Sequence, residues 1–268
     1  MLLALDVGNT NITIGVFKRK EIIEVFRITT KLPRTSDEFG ILISSLLKEK
    51  GLDEGEVKAA IIGSVVPNIM HSLSSGLIKY FDVKPIIVGP GIKTGINLGR
   101  FNPREVGADR IANSVAASNL YSGAVIVIDF GTATSFDIIN SNKEFLGGVI
   151  APGINTQMKC LKNATSKLPK IDVSISQNAI GHNTTDAILS GVIRGTACMV
   201  DGLVAQCEKE LGEKATIVAT GGYCGLIANY LTRPFDYVNP TLTLEGLRYI
   251  YNMNSTQKYI SAHACERV

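Results

Sequence analysis

Four apolar residues, Leu2 to Leu5, run straight into Asp6. A glycine and the amide-rich cluster Asn9-Thr10-Asn11 follow, and then alternation resumes in Ile12-Thr13-Ile14-Gly15-Val16. The pattern predicts a strand over 2–5, a polar break, and a second strand over 12–17. Lys18-Arg19-Lys20 then turns the chain into a third strand over 22–28. Thr35-Ser36-Asp37-Glu38 has capping-box spacing and opens an amphipathic helix that ends near Lys50, closed by Gly51. Val57 to Val66 reads as a buried strand. Pro67 begins a helix through Tyr80, and 84–88 is a further short strand. The run 91–104 lacks periodicity and reads as a loop, with a helix from Asp109 onward.

A second cycle begins at Ala124. "AVIVIDFGTATSFDII" reads as strand, break, strand. After "LGGVIAPG" come helical patterns over 154–165 and 184–211, a strand over 215–219, a turn at Thr220-Gly221-Gly222 and a helix over 242–251. The stretch from Ser255 is polar and aperiodic and is expected to be a frayed tail. Each cycle therefore opens strand-Asp-x-Gly-strand, with Asp6 and Asp129 standing 123 positions apart. That is a duplication of half the chain and not a solenoid period. Turn residues in "SNLYSG" put the boundary within 115–123. The expectation is an α/β protein of two domains, 1–118 and 119–254, and a tail, 255–268.

Composition narrows the classes. With 268 residues and 45% hydrophobic positions the chain can fill two cores. A net charge of +3 is too small to imply a nucleic-acid partner, and the one compact basic run, Lys18-Arg19-Lys20, falls in a hairpin turn. No apolar run approaches the roughly 20 residues of a membrane span. The N-terminus shows no basic leader. Cys160, Cys198, Cys207, Cys224 and Cys265 are dispersed without pairing, which fits reduced thiols in a cytoplasm. His71, His182 and His263 lie far apart, so neither histidine pairs nor Cys/His spacing suggests zinc. Cys160, Cys198 and Cys207 fall on helical patterns and read as small buried hydrophobes.

The two Asp-x-Gly turns are the chemically informative feature. Gly8 and Gly131 let the backbone turn tightly among small polar residues, Thr10 and Asn11 in one, Thr132 and Thr134 in the other. Backbone N–H groups in such a turn can hold phosphate oxygens without a lysine. The neighbouring aspartate is a hard oxygen ligand suited to Mg²⁺. A single Asp-x-Gly after a strand is ordinarily just a turn; a matched pair calls for more. There is no GxxxxGK[ST] and no GxGxxG after a strand. "DFG" at 129–131 lacks the Gly-rich loop and β-strand lysine of protein kinases.

The two-turn arrangement resembles the actin, Hsp70 and sugar-kinase superfamily. That resemblance implies two ribonuclease-H-like (actin-like ATPase) domains with ATP in the cleft between them. "NPREVGADRIANSV" over 102–115 adds an aspartate at a helix start. A lone Asp109 there would simply complement the helix dipole, but a base for an acceptor hydroxyl would stand in the same place.

Together "DVGNTN" (6–11), "NPREVGADRIAN" (102–113), "DFGTATSFD" (129–137), "GGVIAPG" (147–153), "NTTDAILSG" (183–191) and "TGG" (220–222) resemble the type III pantothenate kinases. The matches keep family order from residue 2 to about 252. The resemblance implies ATP-dependent phosphorylation of pantothenate to 4'-phosphopantothenate, the first step of coenzyme A biosynthesis. It implies that Asp109 is the base, and that Gly107, Ala108, Asp109, Arg110 and Thr184 hold pantothenate. Asp6, Val7, Gly8, Asn9, Thr10, Asn11, Ile12 and Thr13 match the first phosphate loop, and Thr132 a nucleotide contact. Asp6 would lie near Mg²⁺, and Asp129 would bind a monovalent cation, K⁺ or NH₄⁺. A cytoplasmic homodimer is implied, with no nucleic-acid or membrane partner. Where the family often has tyrosine, this chain has Arg100. Two other readings share the fold: a non-catalytic regulatory or transcription-accessory protein, and a kinase of another small alcohol.

Overall fold

The structure, a computed structural model, describes residues 1–99, 101–102, 105–164 and 171–264. Arg100 and Cys265 lie outside the described residues. The first strands are β1 (Leu2–Val7), β2 (Asn11–Lys18) and β3 (Glu21–Thr29). Helix α1 (Ser36–Glu49), strand β4 (Ala59–Ser64), helix α2 (Met70–Phe81), strand β5 (Ile86–Ile87) and helix α3 (Ala108–Leu120) complete the first cycle. The second runs β6 (Val125–Phe130), β7 (Ala133–Ile139), β8 (Phe145–Pro152) and α4 (Ile154–Ala164). Helix α5 (Thr184–Leu189) continues through a π turn (Ser190–Arg194) into α6 (Gly195–Leu211). Strand β9 (Thr216–Gly221), α7 (Cys224–Ala228), β10 (Tyr237–Val238) and α8 (Leu242–Ala264) end the chain.

The duplication is complete at the level of the sheets. The first has the order β3-β2-β1-β4-β5 and the second β8-β7-β6-β9-β10. In both, the opening strand pairs antiparallel with the next strand and parallel with the fourth. This mixed five-stranded order is that of a ribonuclease-H-like domain, as expected for the superfamily.

The chain divides into two compact units. One takes Met1–Ile96, α3 as far as Ala116, and the chain from Leu242; the other takes Asn97–Gly99 and Ala117–Thr241. In the first, Leu3, Leu5 and Val7 pack with Phe39, Ile43 and Leu77 of α1 and α2. The capping box forms as expected: Glu38 N–H donates to Thr35 Oγ1, and Thr35 N–H donates to Glu38 Oε2. The opposite face of the sheet is covered by α8, whose Leu244 and Leu247 lie against Gly15 and Gly63. Burial on both faces is why β1 reads as an unbroken apolar run. In the second unit, Ile126, Ile128 and Phe130 pack with Ile193, Ala197 and Val200.

Several expectations are corrected. The last helix groups with the first unit and not with 119–254, because Leu244 and Leu247 fill space left by glycines on the first sheet. The expected tail is helical as far as Ala264, since no glycine or proline follows Gly246 in that stretch. Strand β8 was not predicted, because Gly147-Gly148 interrupts its alternation; α7 and β10 are too short to leave a period. Cys160 and Cys198 are exposed, on the outer faces of α4 and α6. The helix Thr184–Leu211 is long and apolar enough by length and composition to cross a membrane, which the interrupted apolar pattern concealed. Its apolar face, Val192, Ile193, Ala197, Val200 and Val204, lies in the core of the second unit.

Candidate active site

Asp6 ends the apolar part of β1. Its cross-strand partner is Thr13 on β2, and its parallel neighbour is Gly63 on β4. Because Leu3, Leu5 and Val7 point to the α1/α2 face, Asp6 belongs to the other face, with Gly63. The turn that follows is closed by a hydrogen bond from Gly8 N–H to the Asn11 carbonyl, 3.0 Å. Asn9, Thr10 and Asn11 are exposed. Val7 and Ile12 are fully buried, so of the predicted loop they offer only backbone groups to a ligand. Neither Gly8 nor Gly131 has the positive φ expected of a glycine-dependent turn. At Gly8 a Cβ would stand 3.3 Å from the Asn11 carbonyl oxygen, a tight contact.

The segment Gly107–Arg110 reaches the same end of the same face. Ala108 Cβ lies against the Gly63 position, and Gly107 faces Val65, just past the end of β4. Gly107 acts as the helix cap through its carbonyl, which accepts from Ile111 N–H at 3.0 Å. Asp109 stands inside the first turn, half-buried, with Oδ1 accepting from the Arg110 N–H at 2.8 Å. A Cβ on Gly107 would collide with that same Oδ1. Helix α3 is in turn pinned by α8. Thr243 Oγ1 donates to Asn113 Oδ1 at 2.7 Å, and Gly246 crosses directly over the Ala112 carbonyl. Thus Asp6 and Asp109 both stand at the carboxyl ends of parallel strands, where ligands of open α/β sheets bind.

The second unit repeats half of this. Asp129 pairs with Ser135 across β7 and with Thr220 on β9. Gly221 ends β9 at φ +90, and a Cβ there would lie 2.7 Å from both Asp129 Oδ1 and the Phe130 carbonyl oxygen. Two oxygens therefore converge on a niche that only glycine leaves open. Burial raises the thiol of Cys224 above its usual range, and the nearby Asp129 carboxylate adds to the rise. The exposed Gly131-Thr132 turn is closed by Gly131 N–H donating to the Ala133 carbonyl at 2.9 Å.

Thr184 is also in this unit, exposed at the start of α5, where Asn183 caps the helix by accepting from Asp186 N–H. Thr184 thus belongs to the second unit, and Gly107–Arg110 to the first. Arg194 is held within its own unit, stacked 4.8 Å from the Tyr230 ring centroid and donating to the Ser176 and Gln177 carbonyls.

Sequence reasoning passed over Gly63, Thr30, Gly153, Thr156 and the role of Gly221. "GGVIAPG" and "TGG" carried part of that signal, since each places a glycine just after a strand. The pocket of about 410 Å³ lined by Asp201, Glu208, Lys214, Arg233 and Phe235 includes none of the predicted site residues. Its charged groups are already paired: Glu208 with Lys214 and Arg233, and Asp201 with the Thr232 and Arg233 N–H groups.

Comparison with known proteins bears on this arrangement. The family model for type III pantothenate kinase matches residues 2–206. A type III pantothenate kinase of Agathobacter rectalis is 48% identical over 252 residues, covering 94% of this chain and 96% of the relative. One from Bacillus cytotoxicus is 44% identical over 255 residues, covering 95% and 97%. Among solved structures, a Baf family transcriptional activator from Campylobacter jejuni has a TM-score of 0.59 at 22% identity, covering 95% of this chain and 99% of that one. The ethanolamine utilization protein EutJ from Carboxydothermus hydrogenoformans has a TM-score of 0.53 at 11% identity, covering 92% and 89%. At such identities the structural likenesses speak for the fold alone.

Proposed function

Since the chain belongs to the type III pantothenate kinase family, we infer that it transfers the terminal phosphoryl group of ATP to the primary hydroxyl of pantothenate. The product is 4'-phosphopantothenate, and the reaction opens coenzyme A biosynthesis. The observation that carries the reading is the repeated Asp-x-Gly turn at the carboxyl end of matched sheets, together with Asp109 in the first turn of α3, whose preceding residues Gly107 and Ala108 lie against the end of β4.

Each residue has a distinct task in this proposal. Phosphoryl transfer passes through a loose transition state, so the protein's work is positioning and charge stabilisation. Amides of the turns after Asp6 and Asp129 orient phosphate oxygens, with Thr132 as a nucleotide contact. Asp109 accepts the acceptor hydroxyl's proton; an ordinary carboxylate suffices because that proton leaves late. The Arg110 N–H on Oδ1 and the bare Cα of Gly107 fix its carboxylate direction. Gly107, Ala108, Arg110 and Thr184 hold pantothenate.

The residues fit the implied cations. Asp129 Oδ1 and the Phe130 carbonyl flank the niche that a Gly221 Cβ would fill, and a carboxylate and a carbonyl oxygen are donors suited to K⁺ or NH₄⁺. Asp6, half-buried beside an exposed turn, suits Mg²⁺, which keeps several of its waters. Bound there, the cations would offset phosphate charge. The reading extends to a cytoplasmic homodimer without nucleic-acid or membrane partners. In favour of the dimer, Ile150, Ile175 and Ile180 leave apolar surface exposed on the second unit.

The test is ADP release by the purified chain with ATP, Mg²⁺ and K⁺ against a panel of acceptors. Release that appears with pantothenate and not with sugars or acetate is the expected result. Turnover with a sugar but not pantothenate would overturn the substrate, and no turnover with any acceptor would overturn the enzyme.

A further inference from the structure

The same carbonyl-restraining device occurs behind both phosphate turns. In the first unit, the chain leaving β3 returns to the Gly8–Thr10 turn. Thr30 N–H donates to the Thr10 carbonyl at 3.0 Å, and Thr30 Oγ1 donates to the Gly8 carbonyl at 2.7 Å. In the second, the chain leaving β8 returns to Gly131-Thr132. Gly153 N–H donates to the Thr132 carbonyl at 3.1 Å, and Thr156 Oγ1 donates to the same carbonyl at 2.6 Å. A Cβ on Gly153 would overlap the Gly131 carbonyl, so the close approach depends on glycine. Thr10 and Thr132 hold equivalent places, each just before the second strand of its sheet.

The physical consequence follows from the planar trans peptide. The C=O and the next residue's N–H point in opposite directions, so fixing one fixes the other. Drawing back the Gly8, Thr10 and Thr132 carbonyls turns the Asn9, Asn11 and Ala133 N–H groups the other way. A carbonyl oxygen directed at a phosphate would repel it, whereas an N–H donates to it. Thr30 and Thr156 are half-buried, and their turns are exposed, so each hydroxyl supports its turn from behind.

We infer that Thr30 and Thr156 are positioning residues, one for each phosphate turn, whose hydroxyls hold turn carbonyls away from the nucleotide so that backbone amides face it. The inference rests on the kinase reading for its ligand, the triphosphate of ATP.

Thr30→Val and Thr156→Val keep the shape and remove the hydroxyl, whereas Thr30→Ser and Thr156→Ser keep the hydroxyl. Steady-state ADP release and thermal unfolding of the full chain are measured for all four. Each valine variant is expected to raise KM for ATP about 3- to 10-fold, the scale of one lost hydrogen bond. KM for pantothenate stays at its wild-type value, the unfolding midpoint falls by no more than the few degrees that one hydrogen bond accounts for, and the serine variants restore KM for ATP. A wild-type KM for ATP in both valine variants would overturn the inference, as would serine variants as impaired as the valine ones. Should the wild type show no pantothenate-dependent turnover, the functional reading fails by itself. Titration with a fluorescent ATP analogue then still tests the turns: equal affinity in wild-type and valine proteins would overturn the inference.

Discussion

Gly107 and Asp109 are matched so closely that a Cβ on the glycine would overlap Asp109 Oδ1. The missing side chain is thus part of the carboxylate's setting. Gly107→Ala is expected to push the carboxylate aside and lower kcat by about 10- to 100-fold, the usual effect of a misplaced reacting group. KM for ATP should hold. A kcat equal to wild type would show that the contact is not needed.

Asp109→Asn keeps the side chain's size and removes its basicity. Turnover with pantothenate should fall by roughly 10² to 10⁴, the range for a lost general base. Binding of an ATP analogue, followed by fluorescence, should not change. Retention of full turnover would assign the base elsewhere.

Asp129 and the Phe130 carbonyl supply the oxygens around the Gly221 niche. ADP release by the wild type is expected to rise with K⁺ concentration at constant ionic strength, and the response should flatten in Asp129→Asn. An identical K⁺ response in the variant would exclude Asp129 as the cation's ligand.

Gly246 passes over the Ala112 carbonyl where α8 crosses α3. Gly246→Ala should therefore separate the two helices and destabilise the chain by about 1–3 kcal/mol, as overpacking generally does. Urea unfolding reads this directly as a lower midpoint. An unchanged midpoint would mean that the helices shift without cost.

Glu208 contributes to the acid limb of the stability. Burial by itself raises the carboxyl's pKa, but hydrogen bonds from Lys214, Arg233 and the Ala215 N–H outweigh it and hold the value at about 2. A folded value below the ordinary 4.5 means stability that is whole above that pH and lost as pH falls toward 2. The loss should be on the order of 2 kcal/mol, allowing for screening of the exposed partners. Unfolding midpoints between pH 5 and pH 2 should fall less steeply in Glu208→Gln; parallel curves would contradict this.

Much of the site was legible in the chain because its signals are local. A strand that ends in aspartate, a glycine, and a small polar cluster can be read without knowing any contact, and its repetition at Asp129 exposes the duplication. The capping box at Thr35 and Glu38 is legible for the same reason, since four consecutive residues contain the whole hydrogen-bond exchange. The helix from Asp109 also follows from a local pattern.

Tertiary structure alone decided what depends on close approach between distant segments. Helix α8 groups with the first unit because Gly15 and Gly63 leave room for Leu244 and Leu247, a complementarity of shapes more than 180 residues apart in sequence. Gly107, Gly153 and Gly221 matter for the atoms that occupy the space a side chain would need, and a sequence does not display empty space. Thr30 and Thr156 looked like ordinary residues after a strand and at a helix start. Only the return of β3 and β8 to their turns gives those hydroxyls a carbonyl to hold, because a hydrogen bond is made by position and not by composition.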